Sequence, residues 1–239
     1  MILFFRSSLY ALGSWLSTLV VGPVALLTFP FPFSVRYGFI SQWARFNLWW
    51  LRMTCGLAFE VDGREHIPQG NAIIMCKHQS AWETLALQLV FPPQIWVLKR
   101  ELLRVPFFGW GLAMLEPIAI DRAAGKAAMK QLIDQGKVRL ERGRWVVIFP
   151  EGTRTAPGHK GRYAIGGAML ASKSGYPVVP VAHNAGEFWP RRGFLKRPGV
   201  IRMVIGPVIR TAGRSAGEIN EEVETWIEGT VAAISSRDS

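Results

Sequence analysis

The hydrophobic and polar positions divide the chain into two unlike stretches. From Ser7 to Val35 no position is charged, and the run exceeds the roughly 20 apolar residues that span the hydrocarbon of a bilayer. Pro23, Pro30 and Pro32 lie within it. Each proline removes a helix amide and crowds the preceding turn, so the pattern predicts a broken or re-entrant segment in place of one straight span. A second helical pattern follows, in which Phe39, Trp43, Phe46, Trp50 and Met53 recur at spacings of four and three. They stack on one face, with Arg45 and Arg52 well round the cylinder. Next to an uncharged run, that tryptophan-bearing stripe predicts a helix lying in the membrane interface. Residues 1–56 are read as an N-terminal membrane-embedded or interfacial helical segment, and the apolar region is too long and too rich in proline for a cleaved leader.

After Gly56 the period changes. Short apolar runs predict strands at Phe59–Asp62, Ala72–Cys76, Ile95–Leu98, Pro117–Ile120, Trp145–Phe149, Val178–Val181 and Ile201–Ile205. Helical patterns fall between them, clearest at Thr84–Phe91, Gly125–Arg142, Gly167–Ser174 and Glu218–Ile234. Such alternation predicts an α/β domain over residues 57–239, with a largely parallel central sheet flanked by helices. Active sites of such folds gather beyond the carboxyl ends of the strands.

The residues just past those ends carry the candidate chemistry. In "CKHQSAWETLAL" His78 and Glu83 stand five apart. On one helix they would point about 140° from each other, but a histidine in the loop and a glutamate in the first helical turn can meet. Ser80 and Glu83 also have the spacing of a capping box, which by itself gives Glu83 an ordinary structural role. Asp121 and Arg122 follow the fourth predicted strand, and Pro150-Glu151-Gly152-Thr153-Arg154 follows the fifth. Cations and carboxylates at several strand ends suit an anionic substrate, although a simple ion pair and a glycine turn also account for these segments.

Composition narrows the partners. The 239-residue chain is 49% hydrophobic, with ten Trp and fourteen Phe, and carries a formal charge of +11. That charge favours an anionic membrane surface over nucleic acid, for which no recognition motif or dense basic run is present. Cys55 and Cys76 sit in apolar surroundings, as reduced thiols would. His66, His78, His159 and His183 lack the spacing of a zinc site, so no metal is expected.

"KHQSAWE", "IDR", "FPEGTRT" and "VVPVA", in this order, with "LKRELLRVPFFGWGL" between the first two, resemble the conserved blocks of the glycerolipid acyltransferases. The resemblance covers roughly residues 58–210. It departs in carrying Glu83 where the family usually has aspartate, and in Tyr163 being followed by Ala164 where members often have lysine, leaving Lys160 and Arg162 as nearby cations. It implies transfer of a fatty acyl group from acyl-CoA or an acyl carrier protein thioester to the sn-2 hydroxyl of lysophosphatidic acid, with no tightly bound cofactor, at the cytoplasmic face of the membrane. His78 would act as general base oriented by Glu83, and Lys99, Arg122, Glu151, Gly152, Thr153 and Arg154 would bind substrate. Another lysolipid acceptor, or hydrolysis of a lipid by the same pair, are the alternatives.

Overall fold

The computed structural model describes residues 1–235, and of Arg122 the backbone only. Helices α1 (Ile2–Leu26) and α2 (Phe33–Cys55) form a hairpin. Pro23 lies inside α1 without ending it, so the predicted break is confined to residues 27–32, around Pro30 and Pro32. Pro32 immediately precedes α2, where its missing amide has no helical acceptor to lose. The aromatic stripe on α2 also needs correction. Trp43 Nε1 donates to Ser17 Oγ and Trp50 Nε1 to the Leu9 carbonyl, both at 3.1 Å, so part of the stripe faces α1, and of its five residues Phe46 and Met53 are the exposed ones. Antiparallel packing of two helices gave this face a partner that periodicity does not reveal.

The α1 side of the hairpin keeps Ile2, Phe5, Leu12, Trp15 and Val20 exposed, and the turn adds Leu27 and Phe29. α1 is long and apolar enough to cross a membrane, and so large an outward apolar face is unfavourable in water. The other side of α2 turns Ala44, Leu48 and Leu51 into the same core as Ile74 and Val181 of the sheet. Arg36 of α2 is buried and, with Arg139 and Arg144, shares the carboxylate of Glu116, which offsets the desolvation of these charges.

Seven strands form one sheet: β1 (Leu57–Asp62), β2 (Ile73–Cys76), β3 (Gln94–Lys99), β4 (Ile118–Ile120), β5 (Trp145–Ile148), β6 (Val178–His183) and β7 (Gly199–Ile205). Their order is β1-β7-β6-β2-β5-β3-β4. All pairs are parallel except β6 with β7. β2 to β6 therefore end on one edge, while β1 and β7 run the other way. All seven predicted strands are present, β1, β3, β6 and β7 each two residues longer than predicted and β2, β4 and β5 each one residue shorter.

The remaining helices are α3 (Trp82–Val90), α4 (Phe108–Ala113), α5 (Lys126–Glu141), α6 (Gly166–Ser174), α7 (Ala185–Phe188) and α8 (Ala216–Ile234). Alternation along β2 decides the layers. Ile74 and Cys76 pack with α2 and α3, whereas Ile73 and Met75 pack with α5, α6 and α8. Both faces are covered, which is why the central strands read as continuous apolar runs.

Candidate active site

The buried strand β2 delivers His78 into the loop before α3, and Glu83 occupies the first turn of that helix. His78 Nδ1 lies 2.8 Å from Glu83 Oε1. Glu83 is fully buried, and the amides of Gln79 (3.0 Å) and Ser80 (2.9 Å) donate to the same oxygen. Ser80 Oγ accepts from the Trp82 amide at 3.2 Å. The expected capping box does not form, since the N-cap is Ala81 without a side-chain cap bond; the Glu83 carboxylate still accepts from the Ser80 amide ahead of the helix while it holds the imidazole. Burial alone would raise the Glu83 carboxyl, but the neighbouring His183, the bonded His78 and the Ser80 amide outweigh it and hold it below the usual range. An ionised carboxylate only accepts, so Nδ1 carries the proton and Nε2 is left as the basic nitrogen. Nε2 has no hydrogen-bond partner among the described residues, and the ring stacks on Phe149 with 3.9 Å between centroids.

His183, at the end of β6, is brought to this pair by the fold, since no spacing in the sequence connects it to His78. It lies behind Glu83, with Nε2 3.8 Å from Oε2. Its Nε2–H donates to the Lys77 carbonyl at 2.9 Å and Nδ1 accepts from the Ala185 amide at 3.2 Å, which fixes a neutral tautomer. Burial, the largest influence, pushes its pKa down. It is a fully buried structural histidine.

Phe149 to Thr155 clasp the histidine's backbone. Glu151 Oε2 accepts from the His78 amide at 3.0 Å, and the His78 carbonyl accepts from the Thr155 amide at 2.8 Å. Glu151, expected to bind substrate, points inward with its side chain fully buried, and its other oxygen meets Lys77 Nζ at 2.8 Å. Fully buried and absent from the cavity lining, the carboxylate has no face open to a ligand there. Gly152 adopts φ 64°, the left-handed turn that lets the chain reverse between Glu151 and Arg154.

A cavity of about 470 Å³ opens beside His78. Lys99, Gly152, Thr153 and Arg154 line its polar end together with Arg191 and Arg192, which sequence reasoning missed. Arg191 belongs to a loop about forty residues later in sequence and donates to the Arg154 carbonyl at 2.9 Å; a lone "RR" gives no signal that it returns to the site. Arg154 Nε is buried without a hydrogen-bond partner, whereas Lys99 lies 3.3 Å from Glu101 at the exposed edge. The Arg122 side chain lies outside what the structure describes. Lys160 turns away from the cavity to Glu224, at 2.5 Å. Away from the rim the cavity is apolar, walled by Val21, Ile40, Trp43, Leu85, Leu102 and Phe108. Gly22 permits the closeness of this wall, since a Cβ there would lie 2.4 Å from the Phe107 carbonyl oxygen.

Among the described residues no group of His, Cys, Asp or Glu could hold a metal. Both cysteines are buried and free, and burial pushes the Cys76 thiol well up, so neither resembles an activated nucleophile.

The arrangement has known counterparts. An acyltransferase family model matches residues 58–184. A 1-acyl-sn-glycerol-3-phosphate acyltransferase of Pseudomonas aeruginosa is 48% identical over 235 residues, covering 96% of this chain and 91% of that protein. One from Saccharomyces cerevisiae is 27% identical and covers 82% of this chain. The crystal structure of the 1-acyl-sn-glycerophosphate (LPA) acyltransferase PlsC from Thermotoga maritima shares the fold, with a TM-score of 0.79 over 98% of this chain and 96% of that one, at 22% identity. A family match that spans every block from β1 to β6, and a relative aligned along almost the whole length, make this chain a member of the acyltransferase family.

Proposed function

We propose that the protein transfers a fatty acyl group from a thioester to the sn-2 hydroxyl of 1-acyl-sn-glycerol 3-phosphate, forming phosphatidic acid. The observation that carries this reading is the position of the His78–Glu83 pair, bonded at 2.8 Å, where an arginine rim meets an apolar cavity. One substrate type needs all three features: a hydroxyl to deprotonate, a phosphate to hold and an acyl chain to bury.

Nε2 of His78 takes the proton of the acceptor hydroxyl as its oxygen attacks the thioester carbonyl, and Glu83 stabilises the imidazolium that forms. The tetrahedral adduct collapses with cleavage of the C–S bond, and Nε2–H returns the proton to the departing thiolate. Because neither cysteine has an activating partner, transfer is direct, without an acyl-enzyme. Arg154, Arg191 and Arg192 hold the phosphate, with Lys99 and Arg122 as further cations, through charge-assisted hydrogen bonds. Gly152 and Thr153 bring the backbone close to it. An acyl chain occupies the apolar wall that α1, α2 and α4 complete, which gives the hairpin a purpose: it sets the site at the cytoplasmic surface of an anionic membrane, where the lysolipid resides.

Incubating the purified chain with lysophosphatidic acid or uncharged lysolipids, and with acyl-CoA or acyl carrier protein thioester, tests the reading by product mass. Phosphatidic acid from either donor is expected. Free fatty acid as the main product, or a preference for uncharged acceptors, would overturn it.

A further inference from the structure

Lys77 is 1% exposed, yet it is met by two carboxylates where one would neutralise it: Nζ lies 2.8 Å from Glu151 Oε1 and 2.7 Å from Glu228 Oε1. Glu228 belongs to α8, a helix that lines no part of the cavity. We propose that Glu228 is a positioning residue for His78, acting through Lys77 and Glu151.

A connected set of hydrogen bonds runs from α8 to the backbone of His78. Glu228 Oε1 also accepts from Tyr163 OH at 2.7 Å, which fixes that oxygen from a second side. Glu151 Oε1 takes the Gly161 amide at 3.2 Å besides Lys77, and its Oε2 takes the His78 amide at 3.0 Å. The backbone of Lys77 is held as well, its amide by the Val181 carbonyl and its carbonyl by His183 Nε2–H, both at 2.9 Å. Without Glu228 the Lys77 ammonium keeps Glu151 and only a long contact of 3.5 Å to the His159 carbonyl, so it holds the Glu151 carboxylate less firmly. Glu228 gives the ammonium a second short ionic contact, which restrains it and with it the carboxylate that grips the His78 amide. The outcome is registered at the ring, which must stack on Phe149 while Nδ1 meets Glu83. Buried networks of this kind act as a unit, because removing one member leaves the others desolvated and unmatched.

The inference rests on His78 being the general base, and the test separates the two. Full-length protein in mixed micelles is assayed with lysophosphatidic acid and acyl-CoA for kcat, KM and thermal midpoint, as wild type, Glu228→Ala, Glu228→Gln, His78→Ala and His78→Ala with Glu228→Ala. Glu228→Ala is expected to lower kcat about tenfold, the equivalent of one charged hydrogen bond, with KM for lysophosphatidic acid little changed. Glu228→Gln, which still accepts from Tyr163 and Lys77, should recover most of the loss and covers the case of an alanine variant that does not fold. In the His78→Ala background, the residual rate should be insensitive to Glu228→Ala, since a residue acting through His78 has nothing left to position. Wild-type kcat in Glu228→Ala, or an equal further loss without His78, would overturn the role of Glu228 while leaving His78 in place. Wild-type activity in His78→Ala would instead remove the reading on which it rests.

Discussion

The loop around His78 and the rim of the cavity are both rich in charge, but they are built in opposite ways. In the loop, Glu83, Glu151, Lys77 and His183 are buried, and their polar atoms find partners inside the protein. At the rim, Arg154, Arg191 and Arg192 line one cavity, and none has a carboxylate in ion-pair contact among the described residues. A matched buried network fixes geometry before substrate arrives, whereas guanidinium groups that no carboxylate neutralises provide affinity for an anion. On the proposed reading, the catalytic centre is fixed by internal pairing, and the substrate's phosphate completes the binding surface.

The sharpest way to break this contrast is at the base itself. His78→Ala should cost about a hundredfold to ten-thousandfold in kcat, the usual worth of general-base assistance, with the thermal midpoint nearly kept because the ring is partly exposed. Glu83 comes next and separates charge from capping. Glu83→Gln keeps an acceptor for His78 but turns its amide toward the Ser80 N–H, which lies 3.1 Å from Oε2. Both activity and stability should fall, the latter by about 1–3 kcal/mol for an unmatched buried group. Glu83→Asp retains the charge and should be the more active of the two; a fully active glutamine variant would remove Glu83 from the mechanism.

At the rim the effects should be smaller and of another kind. Arg154→Ala and Arg191→Ala are each expected to lose about 1.5–3 kcal/mol of transition-state binding, mostly the preference for phosphate-bearing over uncharged acceptors. Lysine should restore only part, since it lacks the planar fork. Unchanged acceptor preference in both alanine variants would refute the rim's role. The smallest effect is on stability against pH. His183 is held neutral with a lowered pKa, so below its ordinary value of 6.5 the unfolded chain binds a proton that the folded one resists. Stability should then decline as pH falls from 6.5, by at most about 1.4 kcal/mol per unit from this group. Thermal midpoints at pH 7.5 and 5.5 check it: the gap should narrow in His183→Gln.

The strands and helices of the α/β domain were legible because burial on both faces of a parallel sheet writes itself as uninterrupted apolar runs, and a solvated helix writes itself at a period near 3.6. His78 and Glu83 were legible because they are near neighbours in sequence and their contact needs only a loop followed by a helical turn. The block order gave the family, and with it Lys99, Gly152, Thr153 and Arg154, which the fold does bring to one cavity. Residues whose role depends on an element arriving from elsewhere were not legible. Glu151 turned inward because Lys77 and the His78 amide compete for its oxygens. Trp43 and Trp50 turned to α1 because two helices packed, and Arg191 reached the rim from a distant loop.

The sequence by itself determined most local conformations, the change after Gly56 from apolar helices to alternating strands and helices, and the placing of reactive residues after strands. These follow from periodicity and from contacts a few residues apart. The tertiary structure alone decided which side of each buried charge faces substrate and which faces protein. That choice depends on the partners that neutralise a desolvated ion, and for Lys77 one such partner is Glu228, on the last helix of the chain.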